Sequence, residues 1–551
     1  MALEGSFFDL SRCTPRSLLS PVPRKGFWRT VPWEGVHQHQ RLSGTMLIVG
    51  QETRPRPITL DPQLDGPHEL SLGLAQFGSM GPSSIMMRLD DDPGWVILRN
   101  DPFDDAANAH HTRQSVQDCP FRVADMTGRT VQLAQVEWGD RPEGAMLAYL
   151  RAMPTSHAHL ERVRSRGDKR LVAMNDGHGI FYMGVSEPEE LWYFILPYRD
   201  SGYRSMLFCI SGADHCNYPT VVGSLEGEGL DDFPTAGYRR YTESLAGLMR
   251  RGIDPIATVR DMCRSIGLEF HLSIRMGAFA MEPPYDGVFM SRFYRRHPEL
   301  RCVDHDGRVI SRLSYAFPEV QRHVLDIVDE LLAYRPDGIN FIFPRAQPFV
   351  LYEEPFLQRF RSLHGADPRE LPEDDADVLG LRAAIMSELM AEARSRTRKQ
   401  GAELSALVLS DRRSNELHGL DVVRWAREGL LDEIHPTVWD YRRWRVVPEA
   451  DYLVEPCRAG NCRLIVNLHP NEIGNAEFLS TAHRYHREGV DGFSIWDGNP
   501  TQPVTWQLYR AIAHVDQLTG AAAGPPAEPA TFPLTQLGDF VMDRYKSSWS
   551  Y

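Results

Sequence analysis

The feature that most constrains the fold is an alternation. From about residue 165, short apolar runs ending in polar residues alternate with segments of helical spacing. "KRLVAMNDG", "RSMLFCISGADHCNYP", "LEFHLSIRMG" and "GINFIF" read as four strands, and "AELSALVLS", "LDEIHPTVW", "CRLIVNLHP" and "VDGFSIWDGNP" as four more. Between them lie helical segments such as "PEVQRHVLDIVDELLAY", with Pro318 in its first turn, and "VTWQLYRAIAHVDQL" closes the series. Eight strand–helix units fit an open doubly wound sheet or a (β/α)₈ barrel, and eight favours the barrel because closure leaves no exposed edge.

The rest of the chain has a different grammar. Residues 1–45, rich in Pro, Arg and aromatics without periodicity, read as an irregular N-terminal arm. Residues 46–157 carry short alternating runs such as "TMLIVGQ", "SSIMMRLD" and "AMLAYLRAMP", broken by Gly, Pro and Asp. That pattern describes an antiparallel β-sandwich, jelly-roll-like. The expected organisation is multidomain: the arm, the sandwich over 46–157, a catalytic α/β barrel over 165–520, and a C-terminal extension over 521–551 that opens on the linker-like "AAAGPPAEPATFP". With 551 residues the chain is long enough for this, since such a barrel takes about 250 to 400.

Composition excludes some functions. The net charge is −14 and no Lys- or Arg-rich block occurs, so a nucleic-acid partner is not expected. No apolar run reaches the roughly 18 residues of a membrane span. The start "MALEGSFFDLSRCTPRSLLS" lacks a leader pattern, so the reading is cytoplasmic, with a removed leader as the alternative. The 8 cysteines are scattered, and the closest pair, Cys457 and Cys462, lacks a matching second pair, so reduced thiols are expected. No cofactor and no metal is expected. Any oligomer would form through the sandwich or the arm.

In such a barrel the loops after the strands gather at one face, and reactive groups sit at the strand C-termini. After strand one come Asp176 and His178. Strand two is followed by Asp214, His215, Asn217 and Tyr218. Strand three ends with Arg275, and strand four leads to Arg345, Tyr352, Glu353 and Glu354. After strand six come His435, Trp439 and Asp440, after seven Asn467 and His469, after eight Trp496 and Asp497. Carboxylates, Arg, Asn, His and flat aromatics are what a sugar site needs, because rings stack on pyranose C–H faces while polar groups read hydroxyls. A pair of carboxyl groups would do the chemistry. No GxGxxG, P-loop, HExxH or GxSxG pattern appears.

Each candidate also has a plain structural reading. Glu353 and Glu354 precede Pro355 and could simply start a helix. Asp497 could form a turn before Gly498, Asp440 could pair with Arg442 or Arg443, and His178 and His215 could be loop or core histidines. Arg275 and Arg345 on adjacent strands fit either an acidic sugar or a device that holds a carboxylate ionised.

The block "PDGINFIFPRAQPFVLYEEPFLQRFRSLHGADPRELPEDD", with "GADHCNYPT" and "VDGFSIWDGNP", resembles the glycoside-hydrolase-like barrels called family 10-like glycosylhydrolases (the GHL10, or YngK-type, group). The resemblance covers about residues 165 to 520. "VADMTGR" and "AMLAYLRAMP" are similar to the β-sandwich that precedes such barrels in bacterial proteins. The resemblance implies a carbohydrate-active enzyme. Many related barrels carry an Asp inside strand four, where this chain has Ile342 and Phe343; Glu353 or Glu354 would then substitute.

The resulting expectation is a glycosidase. Glu354 or Glu353 and Asp440 form its carboxyl pair, with Asp497 and Asp176 in reserve. His178, Asp214, Asn217, Tyr218, Arg275, Arg345, Tyr352, Trp439, Asn467, His469 and Trp496 bind the carbohydrate. Two rivals remain: a metal-assisted hydrolase using Asp176, His178, Asp214 and His215, and a sugar-binding barrel without catalysis.

Overall fold

The computed structural model describes residues 3–76, 82–100, 114–138, 141–438, 447–468, 475–496, 503–519 and 529–541. Eight parallel strands close into a barrel. In order they are Arg170–Asn175, Ser205–Cys209, Glu269–Arg275, Gly338–Ile342, Glu403–Leu409, Glu433–Thr437, Arg463–Leu468 and Gly492–Trp496, hereafter strands one to eight. All eight expected strands are there, and strand one pairs with strand eight to shut the ring.

The lumen is a packed core. Val172, Met174, Leu207, Cys209, Ile342, Leu407, Ile465 and Trp496 fill it. Helices cover the outside with their apolar faces inward, as in Pro318–Leu332, which buries Val320, Val324, Ile327, Val328 and Leu331. At the lower rim, aspartates preceding a strand tie the backbone of its neighbour: Asp337 accepts from Phe270 N, Asp432 from Leu404 N and Asp491 from Leu464 N. Asp337 and Asp491, each in an Asp-Gly pair just before a strand, are thus clamps at the face opposite the polar strand ends.

The N-terminal region is antiparallel, but it departs from the expected boundaries. Trp28–His37 and Gln40–Val49 are paired ten-residue strands, where the sequence reading put an irregular arm up to residue 45. Alternating burial explains the first of them: Val31, Trp33 and Gly35 are buried while Pro32 and Glu34 between them are more exposed. The C-terminal extension also contributes a strand, Thr531–Leu537, which pairs with both Trp28–His37 and Ser115–Asp125. It closes a ring through Gln40–Val49, Ala145–Pro154 and Pro67–Ala75, so the larger sheet contains a closed six-strand path, not the open leaf of a plain sandwich. A second, four-stranded sheet packs on the ring through Ile58, Leu60, Ile85, Met87, Leu89, Leu98, Val131 and Leu133.

This β-domain lies against the strand-one side of the barrel. Arg199 reaches Asp92 at 3.2 Å, and Gly94 packs so closely on Trp192 that a Cβ would stand 2.4 Å from it. All eight cysteines are buried thiols. Among the described residues, no helix is long and apolar enough to cross a membrane.

Candidate functional site

Strand one stops at Asn175, and the chain turns through Asp176, Gly177 and His178. Gly177 has φ +73°, and a Cβ there would lie 2.0 Å from the Cys209 carbonyl oxygen at the end of strand two. Only glycine allows that approach. Asn217 pins the same corner, donating from Nδ2 to the Gly177 carbonyl at 3.2 Å and to the Cys209 carbonyl at 3.0 Å. The turn thereby delivers Asp176 to the barrel mouth.

Three other strand ends converge on that carboxylate. Arg275, last residue of strand three, donates from Nη2 to Asp176 Oδ1. Trp496, last residue of strand eight, donates from Nε1 to the same oxygen at 3.1 Å. Arg345, just beyond strand four, stands 3.7 Å from Oδ2. Burial acts to raise the Asp176 pKa, but Arg275 and Arg345 outweigh it and hold the carboxyl below its ordinary range. Of the two roles expected for this arginine pair, holding a carboxylate ionised is the one that these contacts fit.

His178 lies behind this group. Its Nε2 is 2.9 Å from Arg275 Nη1, and its Nδ1 is 3.5 Å from Glu226 Oε1. A guanidinium only donates, so Nε2 must accept and the ring proton sits on Nδ1, facing Glu226. Burial, then the charge of Arg275, push the imidazole pKa down to about 3, so the ring is neutral. Ser211 completes the cluster: its hydroxyl bonds Glu226 Oε2 and stands 3.4 Å from His178 Nε2. Ser211 has φ +96°, which costs a residue with a side chain about 1 to 3 kcal/mol. A bridge to Cys216 and the Arg275 bond to its carbonyl hold it there. Glu226 is fully buried, and burial pushes its pKa up to about 7 against the lowering effects of Ser211, Tyr241 and Arg275.

Asn175, Asp176 and His178 line one end of a cavity of about 710 Å³ that runs between the barrel and the β-domain, whose Arg99, Phe121 and Arg151 also line it. That volume suits a small ligand or a short stretch of polymer.

The other sequence candidates lie elsewhere. Glu353 is 1% exposed, and its carboxylate accepts from Val303 N at 3.0 Å and Leu351 N at 3.0 and 3.1 Å, so it fastens a loop. Glu354 is exposed in the first turn of helix Glu354–His364 and bonds Gln358, the helix-start reading of these acids. Neither lines the cavity beside Asp176. Asp214 pairs with His323 at 2.9 Å, His215 bonds the Phe279 carbonyl at 2.9 Å, and the Tyr218 hydroxyl donates to Glu330 at 2.7 Å. All three are buried. The set Asp176, His178, Asp214 and His215 is therefore not assembled as metal ligands. Tyr352 is buried under the Arg382 guanidinium, 5.0 Å from its ring centre. Asn467 lies inside the barrel, donating to Ser494 Oγ at 3.1 Å. Trp439, Asp440, His469 and Asp497 lie outside the described residues.

Sequence reasoning missed Glu226 and Ser211. Glu226 sits in "VGSLEGEG", a stretch that belongs to no strand end, and only the doubled glycines around it hinted at a tight loop.

No family model and no curated protein sequence matches the chain. Among solved structures it is similar to a β-galactosidase from the psychrophilic Marinomonas ef1 (12% identity, TM-score 0.38), over 62% of this chain and 59% of that one. It is also similar to an α-galactosidase from Thermus thermophilus in complex with a nitrophenyl galactoside (11%, 0.34; 88% and 94% of the two chains). A third is the PgaB glycoside hydrolase domain from Bordetella bronchiseptica (12%, 0.40; 63% and 99%). All three are glycosidases by name.

Proposed function

We propose that this chain hydrolyses a glycosidic bond at the mouth of its barrel, with Asp176 as the ionised carboxylate. One observation carries the reading: Asp176, held charged by Arg275, Arg345 and the Trp496 indole, lines a cavity of about 710 Å³. A fixed negative charge beside a sugar-sized space is what stabilises the positive character that develops on a sugar ring as its glycosidic bond breaks. We assign the protonating partner to Asp440 or Asp497, which follow strands six and eight in the sequence. A separation of about 5 to 5.5 Å from Asp176 would make Asp176 a nucleophile, and about 6.5 to 9.5 Å would make it a base for water. The resemblance to family 10-like glycosylhydrolases points the same way.

A second reading has its own support. Both oxygens of Asp176 already face arginines, which lowers their basicity, and Glu353 and Glu354 are engaged elsewhere. That arrangement also fits a barrel that binds carbohydrate without cutting it. A screen of glycans and aryl glycosides decides. The glycosidase reading expects turnover that survives chelator and falls by about 10²- to 10⁴-fold in Asp176→Asn, with sugar binding retained. Binding without turnover on any glycan would leave the second reading standing.

A further inference from the structure

Arg275, bonded to Asp176, also acts electrostatically on Glu226. Glu226 follows the short strand Ser224–Leu225 in the long loop after strand two. Among the described residues, its carboxyl meets the His178 imidazole and the Ser211 hydroxyl, but no arginine or lysine in ion-pair range. Around it stand His178 and Tyr182 from the turn after strand one, Ser211 after strand two, Tyr238 and Tyr241 from helix Ala236–Arg250, and Arg275 from strand three. Arg275 is thus the nearest full positive charge, and it is already bonded to Asp176.

We infer that Glu226 is a positioning residue that, held as a neutral acid, keeps the charge of Arg275 committed to Asp176. The hydrogen bonds allow this without conflict. Arg275 Nη1 donates to His178 Nε2, His178 Nδ1–H faces Glu226 Oε1, and Glu226 Oε2 shares a hydrogen with Ser211 Oγ. In the neutral acid that shared proton belongs to Glu226, and the two hydrogen bonds, Arg275–His178 and Glu226–Ser211, then each have one donor and one acceptor, while His178 Nδ1 and Glu226 Oε1 stand 3.5 Å apart without bonding. An ionised Glu226 would be a buried anion with, among the described residues, no cation of its own. It would compete for Arg275 and weaken the hold on Asp176. A pKa pushed up to about 7 places that change at neutral pH. The effect on turnover rests on the glycosidase reading; the protonation of Glu226 and its coupling to Asp176 do not.

Three measurements on the full-length protein test this. Glu226→Gln keeps the shape and hydrogen bonding of the neutral acid but cannot ionise. In the infrared, the wild type has a protonated-carboxylic-acid C=O band that disappears as pH rises through about 7 and is missing from Glu226→Gln. Because the folded pKa lies above the unfolded one, the neutral acid stabilises the fold below the unfolded value, and that contribution is lost as pH rises through about 7. The melting temperature of Glu226→Gln relative to wild type therefore climbs between about pH 5 and about pH 8. In carbon-13 NMR of labelled aspartate, the Asp176 signal, identified by its loss in Asp176→Asn, shifts across neutral pH in the wild type and stays still in Glu226→Gln. Where a glycoside is turned over, kcat/KM loses its alkaline limb in the variant. Should Glu226→Gln fold poorly, Ser211→Ala serves instead: losing a bond that favours the anion moves the infrared midpoint upward. No acid band and a flat melting difference would overturn the neutral acid; an Asp176 signal that moves alike in both proteins would overturn the coupling.

Discussion

The two ends of one barrel treat buried glutamates in opposite ways. At the lower rim Glu433, first residue of strand six, has a fully buried side chain, as Glu226 has at the mouth. Glu433 lies 2.5 Å from Arg170 Nε and 2.8 Å from Arg463 Nε, and those arginines reach on to Glu269 and Glu403 at 2.6 Å each. Burial would raise its pKa, but His435, Arg170 and Arg463 outweigh burial and hold it well below the carboxylate range. Glu226 has equal burial, no cation of its own among the described residues, and a raised pKa. Burial alone therefore does not set the charge of a carboxyl in this protein; the count of cations beside it does. The lower rim is neutralised and closed. The mouth sets Arg275 and Arg345 on Asp176 beside a cavity and, among the described residues, gives Glu226 no ion-pair partner other than the neutral His178.

The hardest test of that contrast is Glu433→Ala. It leaves Arg170 and Arg463 short of their shared anion, and a loss of about 3 to 5 kcal/mol in unfolding free energy is expected. Denaturant titration measures it, and a loss below about 1 kcal/mol would break the comparison. The pH dependence sharpens it. A carboxyl with a depressed folded pKa stabilises above its unfolded value of about 4.3 and loses that contribution as pH falls, so the stability gap between wild type and Glu433→Gln should shrink in acid. This is opposite in sign to the behaviour expected of Glu226.

Gly177→Ala comes next. Its Cβ meets the Cys209 carbonyl and its φ is positive, so a cost of about 2 kcal/mol or more is expected, with a weaker site because the turn carries Asp176. A melting temperature equal to wild type would show that the turn can relax. The smallest effect belongs to Glu354→Gln. This exposed helix-start acid should change stability by less than about 0.5 kcal/mol and leave turnover intact. A large loss of turnover would restore Glu354 to the chemistry.

The barrel was legible because its signal is periodic and repeated: all eight strands lie in the expected segments. The site was legible only where a residue sits at the last step of a strand. Arg275 and Trp496 end strands three and eight, Asp176 follows strand one directly, and these meet. Where a loop continues for several residues, sequence cannot tell a polar group that faces the cavity from one that fastens the loop. Glu353, Asp214 and Tyr218 all turned out to be fasteners, each satisfied by a partner some 50 to 112 positions away in the chain. Such partners have no local signature. Glu226 escaped notice for the converse reason, since its importance lies in what its neighbours lack. The strands at residues 28–49 were hidden by the Pro, Arg and aromatic content that made the region look irregular.

The strand Thr531–Leu537 carries a consequence for how this molecule can be made and cut. It fills the gap between Trp28–His37 and Ser115–Asp125, so the barrel is an insertion in the β-domain and not an appendix to it. During synthesis the first domain must wait, with two unpaired edges, until the ribosome has delivered the whole barrel. A fragment ending near residue 157 would expose those edges to other chains, which makes the β-domain a poor candidate for separate expression and the full chain the natural unit of folding.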